Sequence, residues 1–255
     1  MRGLGTLINL ATVAFGGSLG LFVGDRLPER MRVTIMQGLG LVTLAVGITG
    51  LEPLYDADLG LRRFIILIGA IIAGGLLGEA LRLEDRLERF GNRIRKRFGV
   101  VERERPGAKV DPHAHHLPDH SSFVEGFVVA STVFCVGPLT ILGGIEDGLG
   151  DSIRLLAIKS SLDGFAALGF ASVYGIGVLA SLAVILVYQG GITLAATLVE
   201  PLMTTEVIAQ LGAVGSLLVL GIALRLLEIK QIRVVNLLPA LVLGPLAAGI
   251  VEAIF

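Results

Sequence analysis

Seven stretches of this chain carry no charged residue: 3–24, 33–51, 64–78, 126–145, 164–199, 207–224 and 234–251. Most reach the ~18 residues that mark a helix long enough to cross a bilayer. Charge gathers between these runs rather than along them, and only 17% of the 255 residues are charged against 53% hydrophobic. A soluble domain is ~25% charged. In lipid every backbone N–H and C=O needs an internal partner, so a chain built this way forms spanning helices or a closed barrel. The alternation of a membrane barrel is absent, and 35 glycines suit close helix packing. The expectation is an all-α, polytopic transmembrane helix bundle.

The 36-residue run 164–199 is too long for one crossing and divides at V-Y-G-I-G, 173–177. That gives about eight membrane helices, or seven if one run does not cross. The first covers 4–24; Met1-Arg2 leads into an apolar stretch longer than a secretory core with no clear cleavage site, so it reads as a retained helix. The others are expected near 33–51, 64–80, 122–143, 152–172, 176–197, 207–225 and 234–255. Residues 82–98 place Leu83, Leu87, Phe90, Ile94 and Phe98 at helical spacing among charges. This is expected to continue the third helix as an amphipathic helix on the membrane surface, with packing against the protein itself as the alternative.

The chain thus divides into 1–98, with three membrane helices and the amphipathic helix; 99–121, a Pro- and His-rich linker; and 122–255, with the remaining membrane helices. All four histidines (His113, His115, His116 and His120) fall in the linker beside Asp119. Imidazole and carboxylate suit Zn²⁺ or Ni²⁺, but no regular spacing holds them, so a solvated linker is the simpler reading. Net charge is −1, which gives no bias toward nucleic acid, and Cys135 has no second cysteine to pair with.

With eight crossings, alternate loops share a side. The loops at 25–32, 81–121, near 174 and 225–233 hold 16 of the 21 Lys and Arg residues. By the positive-inside rule that side is cytoplasmic and both termini are not. Two short echoes, A-L-R-L-E at 80–84 and A-L-R-L-L-E at 223–228, fall on this same side.

Two features break the apolar pattern. Lys159 and Asp163 lie inside the run D-S-I-R-L-L-A-I-K-S-S-L-D-G-F, four apart and on one helix face. If that helix begins outside, Lys159 lies ~9–10 Å below its start and Asp163 ~6 Å deeper, at ~1.5 Å per residue. Charges at that depth are costly and call for a function or a structural reason. The second feature is C-V-G-P, 135–138, where Pro138 interrupts the fourth helix and frees carbonyls near Phe134 and Cys135. Glu125 fits a capping box with Ser122, and Asp151 fits a cap on the next helix.

These motifs, with G-T-L-I-N-L at 5–10, L-P-E at 27–29, I-E-D-G-L-G-D at 145–151, G-I-G-V at 175–178 and Y-Q-G-G-I-T-L at 188–194, resemble a bacterial family of polytopic membrane proteins, domain of unknown function DUF554 or YdfK-like. The resemblance covers nearly the whole chain apart from 99–121. It implies a multi-pass protein of the bacterial inner membrane and brings no activity with it. Matching positions are Asn9, Gly137, Pro138, Asp147, Gly148, Lys159, Ser160, Asp163, Gly164, Tyr188, Gln189 and Gly190.

Asn9, Lys159, Ser160, Asp163 and Gln189, with the break at Gly137 and Pro138, are the candidate binding residues for a small polar solute or ion. Asp163 supplies negative charge or a proton site, and Lys159 its counter-charge. The competing reading is a buried ion pair that only holds helices together. An enzyme is not expected: no H-E-x-x-H, G-x-S-x-G or P-loop occurs, and no histidine lies in an apolar run. No cofactor is implied. The expected partners are the lipid bilayer and the solute; self-association into a homo-oligomer stays open. A scaffold or sensor using 82–98 and the His tract is the other class.

Overall fold

The computed structural model describes residues 2–24, 26–97 and 122–254. The four histidines therefore lie outside the described residues, as do Phe98 and the rest of the linker. The described chain forms eleven α-helices: α1 Leu4–Gly24, α2 Glu29–Thr49, α3 Gly60–Leu81, α4 Leu83–Arg97, α5 Ser122–Val136, α6 Pro138–Leu149, α7 Arg154–Tyr174, α8 Gly177–Val199, α9 Thr205–Leu226, α10 Val234–Leu237 and α11 Ala240–Ile254. No strand occurs among the described residues.

Seven of these segments are long and apolar enough to cross a membrane, and α5 with α6 forms a further pair bent by 61°. The contacts of that pair follow α8 along its length. The start of α5 meets the start of α8, where the Phe123 carbonyl lies against Gly177. The end of α6 meets the end of α8, where Gly148 lies against the Thr193 carbonyl and Ala196. The broken pair thus runs alongside α8 from its start to its end, which makes it a candidate eighth span beside the seven.

The two ends of the bundle differ. An acidic face carries the starts of α1, α3, α7 and α9, with Asp56, Asp58, Asp151 and Glu200 near them. A basic face carries their ends together with α4, Arg26, Arg30, Lys230 and Arg233. Each helix before the linker pairs with one after it. α1 runs parallel to α7, α2 antiparallel to α9, and α3 antiparallel to α11, with glycines at the contacts. Ion pairs tie both faces. On the acidic face Arg63 donates to both Glu206 carboxylate oxygens, at 2.5 and 3.1 Å, and to the Pro53 carbonyl. On the basic face Arg225 donates to Glu84 at 3.2 Å, and Asn236 joins Glu79 to the Glu84 backbone N–H.

Several expectations need correction. α4 does not continue α3: Arg82 takes the left-handed conformation, φ 49°, and turns the chain between them. The apolar face of α4 is partly covered by protein, and Phe90 on it stays 43% exposed. Leu83, Leu87 and Ile94 pack on Phe123, Phe127 and Val235, and the Phe90 ring sits 5.9 Å from that of Phe127. Burial against protein removes part of that apolar area from water. Asp151 caps nothing. α7 begins at Arg154, whose N–H finds the Ser152 hydroxyl at 3.1 Å. The last span is divided in two ahead of Ala240, because Pro239 offers no N–H to continue α10. The echoed motifs meet in space: Arg225 and Glu84 are partners, and each copy has one left-handed residue, Arg82 and Glu228.

Burial pushes the Glu84 carboxyl above the usual carboxylate range, and the Arg225 guanidinium offsets only part of that. Asp56, exposed at the acidic face, is held below its ordinary value because it accepts the backbone N–H groups of Leu59 and Asp58.

Candidate functional site

α1 starts without a side-chain cap of its own, so its first N–H groups need an acceptor from elsewhere. Asp147, from the last turn of α6, supplies it. Its carboxylate accepts the N–H of Gly5 at 3.0 Å, the N–H of Thr6 at 3.1 Å and the Thr6 hydroxyl at 3.4 Å. The helix N-terminus also favours the negative charge. A Cβ at position 5 would meet Asp147 and Leu156, so glycine there lets the carboxylate approach.

From this cap a line of buried polar groups runs inward. The Thr6 hydroxyl lies 3.0 Å from that of Thr193 and accepts from Gln189 Nε2 at 3.2 Å. One turn deeper, Asn9 Nδ2 donates to Gln189 Oε1 at 2.8 Å. The Asn9 side chain also lies beside the Asp163 carboxylate, which accepts from Lys159. Asn9, Asp147 and Gln189 are 0% exposed, and Lys159 and Asp163 are 5% and 7%. At ~1.5 Å per residue from the start of α7, Lys159 lies ~7–8 Å and Asp163 ~13–14 Å along the helix. In a ~30 Å hydrocarbon core that places Asp163 near the middle. The line thus climbs from the acidic face to the bundle centre through α1, α6, α7 and α8. Asn9 Oδ1 has no hydrogen-bond partner in it.

The broken span borders the pair. Gly137, in extended conformation, ends α5, and Pro138 opens α6, where its missing N–H costs nothing. Cys135 lies within electrostatic reach of both Lys159 and Asp163. The break leaves fewer free groups than expected, because the Thr140 hydroxyl donates to the Phe134 carbonyl at 3.2 Å. Toward the basic face a cluster of rings follows the pair along α7. Phe170 lies seven residues past Asp163, on the same face of α7; its ring stands 6.2 Å from Phe134 and 6.4 Å from Tyr174. Beyond Tyr174 opens a cavity of about 610 Å³ on the basic face. Phe134 and Phe170 are buried, and along α7 Phe170 comes between Asp163 and the Tyr174 that lines that cavity.

The family match rests on nearly the whole length of this architecture. The profile of a family described as "Protein of unknown function (DUF554)" covers residues 4–248. The chain belongs to the DUF554 family. It is similar to the "Uncharacterized protein YqgA" of Escherichia coli (strain K12), 35% identical over 247 residues, covering 96% of this chain and 97% of the relative. It is also similar to the "Uncharacterized membrane protein YdfK" of Bacillus subtilis (strain 168), 28% identical over 250 residues, covering 98% and 97%. No solved structure matches it.

In this DUF554 protein, Asn9, Lys159, Asp163 and Gln189 come together as one cluster. Ser160 does not join them; its hydroxyl donates to the Leu156 carbonyl of its own helix at 2.5 Å. Glu125 lines the basic-face cavity. Thr6, Thr193 and the capping role of Asp147 went unrecognised in the sequence. A usable signal was there: Thr6 and Asn9, three apart, and Gln189 and Thr193, four apart, each put two polar groups on one face of an apolar helix. Among the described residues no cluster of three or more His, Cys, Asp or Glu is arranged to hold a metal.

Asp147→Ala removes the only acceptor shown for the Gly5 N–H. Each buried donor left unpaired costs about 1–3 kcal/mol. Hydrogen exchange of residues 4–9 in detergent is expected to accelerate strongly in Asp147→Ala and weakly in Asp147→Asn, which keeps one carbonyl acceptor. Unchanged exchange in both would remove the capping role.

Proposed function

We propose that this membrane protein moves a small polar solute or ion across the bacterial inner membrane along a path through α1, α5, α6, α7 and α8. Asp163 is the central site and Lys159 its counter-charge. By the positive-inside rule the basic face is cytoplasmic and both termini lie outside. The observation that carries the reading is the layout along the bundle axis: a polar line from the acidic face, a charged pair at mid-depth, a broken span beside it, and a cavity beyond a cluster of rings on the basic face. Discontinuous helices beside mid-membrane polar groups are the common layout of transporter sites, and apolar constrictions serve as gates. The closed line and the stacked rings correspond to a state shut on both sides.

A second reading has its own support. The pair and its neighbours are almost completely enclosed, as a purely structural ion pair is, and such pairs fix helix register without adding stability. Uptake into proteoliposomes separates the two. A screen of small polar solutes and ions with wild type, Lys159→Ala and Asp163→Asn is expected to give flux in wild type alone. Equal flux in all three takes the pair out of the mechanism.

A further inference from the structure

The 610 Å³ cavity on the basic face is lined by two arginines and three glutamates, together with Tyr174: Arg32, Arg225, Glu29, Glu125 and Glu228. It lies between the starts of α2 and α5 and the ends of α7 and α9. Its size falls within the ~300–1,000 Å³ of small-molecule sites. Both guanidinium groups are held at one end only. Arg32 Nη2 donates to the Gly24 carbonyl at 2.5 Å, where α1 ends. Arg225 Nη1 donates at 3.2 Å to Glu84, which is not among the residues lining the cavity. In each the Nε–H is enclosed and has no acceptor among the described residues. Two anchored arginines with unused donors suit a carboxylate or phosphate. Glu29, Glu125 and Glu228 have no cationic partner among the described residues and bring negative charge to the same space.

We propose that this cavity binds a small zwitterion: an oxyanion group between Arg32 and Arg225, and an ammonium group toward Glu125 and Glu228. A simple anion leaves the glutamates uncompensated, and a simple cation leaves the arginines so. The proposal deepens the transport reading by naming a substrate class. It rests on that reading only for the claim that the bound solute crosses. The same chemistry occurs in a free amino acid and in an ethanolamine phospholipid headgroup.

Calorimetric titration of the full-length protein tests it, with L-alanine and phosphoethanolamine as zwitterionic probes. Propionate and ethylamine carry one charge each. In phosphatidylglycerol nanodiscs at least one zwitterion is expected to bind saturably and about tenfold more tightly than either single-charge probe. Arg32→Gln is expected to weaken alanine and propionate together. Glu125→Gln with Glu228→Gln, neither with a described partner to lose, is expected to weaken alanine and spare propionate. No saturable zwitterion binding, equal binding of the single-charge probes, or wild-type binding in both variants overturns the proposal. Alanine binding that falls when phosphatidylethanolamine is added to the nanodisc identifies a lipid headgroup as the occupant; binding that does not fall identifies a free solute. Binding without flux keeps the cavity and removes transport, and flux without binding does the reverse.

Discussion

Lys159→Ala is expected to lower the stability of the bundle by about 3–5 kcal/mol, because it strands the Asp163 carboxylate in a space with almost no solvent contact. Asp163→Ala is expected to do the same to the ammonium. The double variant Lys159→Met with Asp163→Leu keeps the volume and removes both charges, so it is expected to melt close to wild type. Replacing a buried pair by apolar side chains is often neutral or stabilising. Thermal unfolding of the purified proteins in detergent reads all four. Single variants as stable as wild type would mean that water or another charge reaches the pair. A double variant as damaged as the singles would mean that Asn9 and the rest of the line depend on the carboxylate.

Gly16→Leu is expected to separate α1 from α7 and to abolish the folded bundle, and even Gly16→Ala is expected to destabilise it clearly. Gly16, Gly20 and Gly24 recur every fourth residue and lie against the carbonyls of Gly164, Leu168 and Ser172. A Cβ at Gly16 would land on the Gly164 carbonyl oxygen, which belongs to backbone and cannot rotate away. Overpacking of that kind costs about 1–3 kcal/mol, and more where backbone must move. Small residues permitting close approach are a principal source of helix association in lipid, where the hydrophobic effect is absent. Gly191→Ala is the matched control. A Cβ there meets nothing within 4 Å, and alanine is the better helix former, so its melting temperature is expected to stay level or rise. Equal melting of Gly16→Ala and Gly191→Ala would remove the seam.

Much of this was legible in the residues, for reasons that are local. A spanning helix must be apolar over its own length, so α1 falls on 4–24 as expected, and the start of α8 falls within a residue of its expected place. Pro138 breaks its helix through its own missing N–H. Lys159 and Asp163 share a face through helix periodicity alone. What stayed hidden depends on a second element. Asp147 looks like one acid in an acidic loop until the start of α1 arrives beside it. Leu83, Leu87 and Ile94 have the same pattern whether lipid or α5 covers them. Arg82 gives no sign of its left-handed turn, since glycine is the usual residue there. The parallel pairing of α1 with α7, 148 positions apart at Gly16 and Gly164, is invisible without coordinates.

The most direct test of the central claim is solute uptake by the Lys159→Met, Asp163→Leu protein in liposomes, because that variant is expected to fold and leaves flux as the quantity that changes. If Asp163 and Lys159 form the site through which solute passes, the variant inserts and melts like wild type and transports nothing. Uptake at the wild-type rate from the same folded double variant contradicts the account and leaves the pair as a fastening between helices.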